Sequence, residues 1–443
     1  MPEGSKFVPF LPMIKESKSM PKSGILALIL GLALLAAVIT GCVGKSVTTD
    51  TIPPQISISF PANNANLSGD TVLVTLTTFD NKGVAHVDFY VDGLLSYADS
   101  SAPFNYPWLI LVYDDNTVHT LVATAYDAAG NNTSDSISVT VQVASGFHFI
   151  SSAATSGVAY YNLFLSGNYA FLAEQGDGIE IFDISNPANP RLVSFYATGG
   201  GLANGVFVSG NYLFIAYGDQ GLHLLDVTNP AAPVFRSSLI LAGSPDIENV
   251  FVLGNYAYLA AKNSGMYIVD ISNPDTLVQL GQYNTGSGIA YDLVVIDTLA
   301  YIAYGGAGME IVNVKLPLLP VQVGNFTPAG SGVVRRLDIV GNRAYLALQN
   351  SGLEIVNITN PASPVSLGMY NPGFFLTGVD VDGLLAYLAK RDDGVEIVNV
   401  SNPASPSSVN FYNTEGQANN LIFRNSFVYI ADQTSLTVLR YVP

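Results

Sequence analysis

The sequence predicts an all-β fold, in which a β-sandwich precedes a closed ring of similar four-stranded sheets. Three observations support this: a phrase repeated at regular spacing, short apolar runs rich in Val, Ile, Phe and Tyr, and turn signals between those runs. The phrase reads "GIEIFDISNPANP" where it first occurs, and its opening glycine recurs at spacings of 43, 44, 43, 44 and 42 residues, at Gly178, Gly221, Gly265, Gly308, Gly352 and Gly394. Internal repeats of this length are typical of stacked β-sheet arrays.

Each repeat unit divides into four short strands. In the unit from Gly205 to Leu241 the runs cover residues 206–209, 212–217, 222–227 and 234–241. Their length and β-branched content favour strands over helices. Gly-Asn pairs supply the positive φ of a tight hairpin, and Asn-Pro pairs end the third strand because proline cannot donate to a ladder. Four strands in such a unit predict one blade of a β-propeller.

A recurring acidic or amide residue lies at the end of the third strand in each complete unit, and five of the six precede an Asn-Pro turn. This position could form a ring of ligands, but side chains that bond to turn backbone are the favoured interpretation. The residues are Asp183, Asp226, Asp270, Asn313, Asn357 and Asn399.

The blade count follows from the two ends of the repeat region. Six complete units end near Glu415, and the remaining residues supply only three strands. The segment "FHFISSAATSG" from Phe147 supplies the fourth. The sequence therefore predicts a seven-bladed β-propeller over residues 146–443, closed by an N-terminal strand, which removes exposed sheet edges.

The first 41 residues have the layout of a secretory signal. Lysines precede the uncharged run "SGILALILGLALLAAVITGC", and small Gly41 stands before Cys42. The run resembles the lipobox of bacterial lipoproteins, which implies cleavage before Cys42, a lipid on that residue, and a place in the cell envelope, at the outer membrane or cell surface. A spare structural thiol is the alternative for this single cysteine. Met20 would make a more ordinary start, and residues 42–52 form a short polar tether.

Charge limits the classes of partner. The net charge is −17, which disfavours nucleic acid and anionic lipid because phosphate binding needs clustered Lys and Arg. We therefore expect contact with the membrane through the lipid anchor, and no nucleic-acid partner.

Residues 53–143 form a separate unit of short alternating runs with turns between them, which predicts a β-sandwich. The segments "PPQISISFPANNANLSGDTVLVT", "DNKGVAHVDFYVDG" and "VATAYDAAGN" resemble the bacterial Ig-like domains of surface proteins, which implies a spacer that lifts the propeller from the membrane. Trp108 is expected in its core rather than as a sugar platform. Asp80, Asp127 and Asn131 could offer oxygen ligands to calcium, but turn capping is favoured and no cofactor is expected.

The propeller phrase resembles the LVIVD repeat across residues 146–443, as in "IEIFD", "LHLLD" and "MYIVD", with Asn replacing the final Asp in three units. The resemblance implies a surface location and no particular reaction. The ring contains only His148 and His223, and it has no Cys or Trp. A His-rich metal site and a Cys nucleophile are thereby excluded, and no nucleophile elbow or phosphate loop is present. We expect a protein that is not an enzyme.

The informative differences between units lie in the connectors that lead into each innermost strand. Such loops ring one mouth of a propeller channel, and function tends to be carried on loops. Their polar residues predict a pocket for a polar group of a protein or glycan; the alternative is that they cap strand ends and hold channel water. The predicted ligand-binding residues are Asn162, Asn204, Glu248, Tyr291, Asp292, Arg335, Arg336 and Asn420.

Asp338 and Asp380 share one inner-strand position in neighbouring blades, where other units have phenylalanine. Two adjacent carboxylates could serve acid–base chemistry, and an ion-pair network with Arg335 and Arg336 is the favoured alternative. The sequence as a whole predicts a lipid-anchored envelope protein that binds or adheres through its propeller. A hydrolase or lyase at the channel mouth and a purely structural surface scaffold are the alternatives.

Overall fold

The computed structural model describes residues 50–154, 159–176, 178–197, 200–286, 288–329, 332–371, 373 and 375–443. Apart from one 3-10 turn at Ile110–Val112, its regular elements are β-strands. Within these ranges, no helix has the length and apolar character to cross a bilayer. The predicted all-β class, with an Ig-like domain and a β-propeller, is confirmed.

The Ig-like domain is built from two sheets, with strand orders β1-β3-β6 and β2-β8-β7-β4-β5. Its strands are β1 Gln55–Phe60, β2 Ala65–Ser68, β3 Thr71–Phe79, β4 Val84–Val91, β5 Leu94–Asp99, β6 Asn105–Leu109, β7 Thr117–Asp127 and β8 Asn132–Gln142. Alternate residues of these strands point between the sheets, so Phe89 and Leu121 are fully buried. Trp108 is 1% exposed in this core, as predicted.

The described residues after the Ig-like domain form seven four-stranded sheets, here called blades 1 to 7. Blade 1 contains β10 Tyr160–Ser166, β11 Tyr169–Glu174, β12 Gly178–Asp183 and β13 Arg191–Ala197. Blade 2 contains β14 Gly205–Ser209, β15 Tyr212–Ala216, β16 Leu222–Asp226 and β17 Val234–Leu239. Blade 3 contains β18 Asn249–Leu253, β19 Tyr256–Ala260, β20 Met266–Asp270 and β21 Val278–Tyr283. Blade 4 contains β22 Asp292–Ile296, β23 Leu299–Ala303, β24 Met309–Asn313 and β25 Val321–Phe326. Blade 5 contains β26 Val334–Val340, β27 Arg343–Leu348, β28 Gly352–Asn357 and β29 Val365–Tyr370. Blade 6 contains β30 Gly378–Asp382, β31 Leu385–Ala389, β32 Val395–Asn399 and β33 Ser407–Tyr412.

Blade 7 combines strands from the two ends of the propeller region. It is made of β34 Ala418–Arg424, β35 Phe427–Asp432 and β36 Ser435–Val442, with β9 Gly146–Ala154 as its outer strand. β9 pairs antiparallel with β36 from Ala154 opposite Ser435 to Gly146 opposite Val442. The innermost strand β10 contacts both β14 and β34, so blade 1 packs between blades 2 and 7.

The turns follow the predicted chemistry. The hairpin glycines Gly167, Gly210, Gly254 and Gly341 have φ between 53° and 60°, a conformation that favours glycine. The recurring acidic or amide residue at the end of the third strand accepts a hydrogen bond from the backbone N–H two residues later at 2.8 to 2.9 Å, at Asp183, Asp226, Asp270, Asn313, Asn357 and Asn399. Turn capping is therefore confirmed at this position.

The Ig-like domain packs on blade 7. One apolar cluster runs from Trp108 and Ile110 of the Ig-like domain into Leu436 and Val438 of β36. Beside it, the Arg440 guanidinium donates to the carbonyls of Leu111 (2.5 Å) and Tyr113, and pairs with Asp114 at 2.8 Å. Burial lowers the pKa of Arg440. Because Arg440 also lies in the β36 ladder, the junction joins a propeller strand directly to the Ig-like domain.

Candidate binding site in the propeller channel

A belt of polar side chains crosses the channel at the start of the innermost strands. We call Asn162, Asn249, Asp292, Arg336 and Asn420 the polar belt. Asn420 Nδ2 donates to Asn162 Oδ1 (2.7 Å), Asn162 Nδ2 to Asn249 Oδ1 (3.2 Å), and Asn249 Nδ2 to Asp292 Oδ1 (2.5 Å). Arg336 Nη1 lies 3.8 Å from the same Asp292 oxygen. The belt is thus a continuous chain of hydrogen bonds that ends in an ion pair.

Glycines occupy the belt position in the two remaining blades. A Cβ on Gly205 in blade 2 would lie 2.3 Å from Asn249 Oδ1, and one on Gly378 in blade 6 would lie 2.7 Å from Asn420 Oδ1. Both distances are shorter than van der Waals contact allows. The two glycines therefore leave the room in which five side chains can bond across seven blades.

The mouth of the channel lies one residue before the belt on each strand. A small cavity there, of about 20 Å³, is lined by Tyr161, Glu248, Tyr291, Arg335, Arg336, Thr377 and Asn419. Its volume is enough for a water molecule and too small for a sugar ring. A ligand at this mouth would therefore rest on the surface made by these side chains.

Arg335 is one of the two arginines that line the mouth cavity. Its guanidinium stacks 4.2 Å from the Tyr291 ring centroid and donates to the Tyr161 hydroxyl. Across the cavity, Glu248 pairs with Lys262 at 3.0 Å. A guanidinium held over one tyrosine ring and bonded to the hydroxyl of another is suited to carboxylate and hydroxyl groups, because guanidinium donates in a fixed planar fork.

The structure separates the eight predicted residues into groups. Glu248, Tyr291, Arg335 and Arg336 line the mouth cavity, whereas the remaining belt residues bond mainly to each other. Asn204 does not line the mouth cavity, because it is 2% exposed and donates to the Ile247 carbonyl at 2.9 Å. Asn204 and the belt residues other than Arg336 therefore match the alternative of strand-end capping more closely than ligand contact at the mouth.

A second layer of side chains lines the channel two residues below the belt. Phe164, Phe207 and Phe251 stand in blades 1 to 3, and Asp338 and Asp380 in blades 5 and 6. The predicted ion-pair network between these carboxylates and Arg335 or Arg336 is wrong for the described structure, where Arg336 pairs with Asp292 and Arg335 with tyrosines. Asp338 and Asp380 instead accept hydrogen bonds from backbone N–H groups of the next blade, at 2.8 and 2.7 Å.

A set of buried glutamates lies between the blades, and none of them was among the functional residues predicted from the sequence. Glu180, Glu310, Glu354 and Glu396 stand on third strands at or below 5% exposure. Tyr283 of blade 3 donates to Glu310 of blade 4, and Tyr370 of blade 5 to Glu396 of blade 6. The signal was a charged residue amid an apolar run, as in "VEIVN". His223 has the same place in blade 2, where Tyr217 and Phe235 enclose it and burial lowers its pKa.

Three carboxylates, one from the tether and two from the Ig-like domain, lie close enough together to hold a metal ion such as calcium. Oxygens of Asp50, Asp80 and Asp127 lie within 4.8 Å of one another. As predicted, Asp80 and Asp127 also cap turns, and Asn131 donates to Asp127 at 2.7 Å. Asp50 was not foreseen, because it reaches this turn from the tether. Asp80 Oδ2 is buried and has no hydrogen-bond donor among the described residues.

Family comparisons place both parts of the chain. The model of the bacterial Ig domain matches residues 54–141, and that of the LVIVD repeat matches 160–198, 200–240, 246–285, 331–372 and 377–414. The repeat model matches no strand of blade 4, whose third strand is followed by "VKLPLLP" in place of the usual Asn-Pro turn. A search of curated protein sequences gave no match.

Solved structures support the fold. The β-propeller domain of Myceliophteria thermophila Cps50 (Swd1) is 10% identical with a TM-score of 0.55, and the match covers 67% of this chain and 100% of that chain. The WD40 β-propeller domain of Doa1 is 10% identical with a TM-score of 0.53, covering 67% and 97%. At this identity the likeness shows the fold alone. Together with the matched families, it identifies the chain as a bacterial Ig domain joined to an LVIVD-repeat β-propeller, an architecture suited to a surface or binding module.

Proposed function

We propose that the chain is a cell-envelope binding protein whose propeller mouth recognises a polar group of an envelope or extracellular protein or glycan. The observation that carries this proposal is the contrast between repeated blades and a variable mouth. The residues that cap turns are alike in successive blades. The mouth position, in contrast, is occupied by tyrosine, arginine, glutamate, threonine or asparagine, depending on the blade. Diversity confined to one rim of a repeated scaffold is characteristic of a recognition surface.

The shape of the mouth favours surface recognition over catalysis. The belt closes the channel directly beneath a cavity of about 20 Å³, so a ligand has no deep cleft in which water is excluded. Arg335 and Tyr291 together present a stacked cation and aromatic face, the residue types enriched in binding hot spots. We therefore propose recognition, and no catalysis, at the mouth.

Anchoring completes the proposal. Cys42 and the preceding apolar run lie outside the described residues, and their lipobox resemblance supports a lipid-anchored protein of the outer membrane or cell surface. The Ig-like domain would then stand between the anchor and the propeller as a spacer. Mass spectrometry of the mature N-terminus, which should find a diacylated Cys42, tests this part separately.

The experiment for the mouth is capture by the full chain of envelope extracts and of arrayed glycans. Arg335→Ala should weaken capture about 30-fold, because a central arginine anchor contributes roughly 2 kcal/mol. Arg236→Ala is the matched control, since Arg236 lies on outer strand β17 and pairs only with Asp275 at 2.8 Å among the described residues. Capture that is equal in Arg335→Ala and the parent chain would refute the mouth as a binding site.

A structural scaffold is the second candidate, and one surface feature favours it. The turn after the third strand of blade 4 exposes Leu316, Leu318 and Leu319 at 65%, 73% and 66%. Contiguous exposed leucines are uncommon on monomeric proteins and mark contact surfaces. If the scaffold is the function, Leu318→Ser should abolish assembly of the protein into larger complexes, and Arg335→Ala should leave assembly unchanged.

A further inference from the structure

The channel holds a second cavity beneath the polar belt, distinct from the mouth. Its volume is about 270 Å³, and its wall has two chemically different sides. One side carries Phe164, Phe207 and Phe251, and the other carries Asp338 and Asp380. In a ring of seven sheets, blades 1 to 3 lie across the channel from blades 5 and 6.

The three phenylalanines form a continuous aromatic arc. The ring centroids of Phe164 and Phe207 are 4.5 Å apart, and those of Phe207 and Phe251 are 5.0 Å apart. All three side chains are half-buried, so part of each ring borders the cavity. Aromatic faces carry negative electrostatic potential and attract cations within about 6 Å.

The opposite side carries two carboxylates that form no ion pair among the described residues; Arg336 of the polar belt also lines the cavity, but it pairs with Asp292. Asp380 Oδ2 accepts from Phe423 N–H at 2.7 Å, and among the described residues no donor bonds to its Oδ1. Asp338 accepts from Val381 and Ile339 N–H groups, and neither carboxylate forms an ion pair in the described part of the chain. Burial raises the pKa of Asp380 to about 7, and the charge of Asp338 adds to this rise.

We propose that this cavity binds a small organic cation, a primary amine or quaternary ammonium. Its charged group lies between Asp338 and Asp380, and its apolar part lies against Phe207. A carboxylate pair and an aromatic arc both attract positive charge, whereas an anion or a neutral sugar would leave the carboxylates unpaired. The cavity is slightly smaller than pockets for drug-sized ligands, which limits the cation to a few carbon atoms around the charge.

Choline and its neutral isostere 3,3-dimethylbutan-1-ol are probes that separate charge from shape. Isothermal titration calorimetry of the full chain should give a Kd for choline at least about tenfold lower than for the isostere, since only choline carries the charge. Equal binding of the two probes, or no binding of choline, would overturn the proposal.

Variants locate the site within the channel. Asp380→Asn keeps an acceptor for Phe423 N–H and Phe207→Leu keeps an apolar side chain, yet each should weaken choline binding by about tenfold. Asp382→Asn is the control, because it makes the same charge change at an exposed position two residues along the strand. If Asp380→Asn does not fold, Phe207→Leu decides: choline binding as tight as in the parent chain contradicts the proposal.

The proposed choline site in the channel cavity and the proposed binding site at the mouth can be refuted independently of each other. Arg335→Ala should leave the Kd for choline unchanged, because Arg335 lies at the mouth cavity and the polar belt stands between the two. A loss of choline binding in Arg335→Ala would place the cation at the mouth and refute the channel cavity as its site.

Discussion

Blades 5 and 6 bury a glutamate at the same strand position but satisfy it differently. In blade 6, Glu396 Oε1 accepts from Tyr370 (2.5 Å) and Ser408 (2.6 Å), and its Oε2 forms an ion pair with Lys390 Nζ at 3.2 Å without a hydrogen bond among the described residues. In blade 5, Glu354 accepts from Ser366 at 2.8 Å, and no donor among the described residues reaches its Oε2.

The difference arises in the preceding blade. Phe326 of blade 4 occupies the strand position that Tyr370 occupies in blade 5, so a hydroxyl is missing where Glu354 would need it. Burial accordingly raises the pKa of Glu354. Two repeats with the same backbone structure can thus differ in how well a buried carboxylate is hydrogen-bonded, because one of them lacks a single hydroxyl oxygen.

Removal of the cation from the blade 6 contact should have the largest effect. The side chains of Lys390 and Glu396 are only 5% and 6% exposed, so Lys390→Met would leave a buried carboxylate without its charge partner. We expect a loss of about 3–5 kcal/mol in the free energy of unfolding, measured by urea denaturation. The double variant Lys390→Met with Glu396→Gln should recover most of it, and a loss below about 1 kcal/mol in the single variant would contradict the ion pair's role.

Conversion of the blade 6 contact to the blade 5 type should have the next largest effect. Tyr370→Phe removes one donor to Glu396 and should cost about 1–3 kcal/mol. Tyr412→Phe is the matched control, since Tyr412 holds the same position one blade further on and its hydroxyl makes no hydrogen bond among the described residues. Equal losses in both variants would show that the hydroxyl–carboxylate bond is not the cause.

The reverse substitution should stabilise blade 5. Phe326→Tyr offers a hydroxyl to the unpaired Glu354 oxygen and should add about 1 kcal/mol to the free energy of unfolding. A double-mutant cycle with Glu354→Leu tests the pairing, because the gain should vanish when the carboxylate is absent. A gain that persists in the Glu354→Leu background would have another origin.

The smallest effect is a dependence on pH. Burial raises the folded pKa of Glu354 above its ordinary 4.5, so between these two pKa values the folded protein keeps a proton that the unfolded chain has lost. The stability that this proton contributes is fully present below about pH 4.5 and is lost as pH rises through the folded pKa. Glu354→Gln should therefore gain stability over the parent chain as pH rises, measured as the difference in urea midpoint. A difference that stays constant with pH would exclude this titration.

Sequence periodicity was sufficient to predict the blades and their turns, because both depend on local residues. Gly-Asn and Asn-Pro pairs specify backbone geometry within a few positions. When the repeats are aligned on these turns, the five belt residues fall at equivalent positions of their innermost strands, as they do in the structure. The choice of partner could not be predicted in the same way. Asn162 and Asn249 bond across blades 1 and 3 only because Gly205 leaves room between them, which is a property of the closed ring.

The same limit explains the two carboxylates assigned to an ion-pair network. Arg336 and Asp338 lie two residues apart on the same face of β26, but the closed ring brings a carboxylate of the neighbouring blade closer to the Arg336 guanidinium. Arg336 meets Asp292 of the preceding blade, and Arg335 stacks on Tyr291. The pairing of Tyr370 with Glu396 likewise joins two strands that only the packing of adjacent blades brings together.

The junction at Arg440 has a mechanical consequence. Strand β9 follows the Ig-like domain in the chain and is the outer strand of blade 7, so tension on the N-terminal side of the protein reaches the propeller at its seam. Arg440, on the partner strand β36, is tied to the Ig-like carbonyls of Leu111 and Tyr113. The load is therefore shared between the covalent chain and this lateral clamp, and the β9–β36 hydrogen bonds are shielded from peeling apart one at a time.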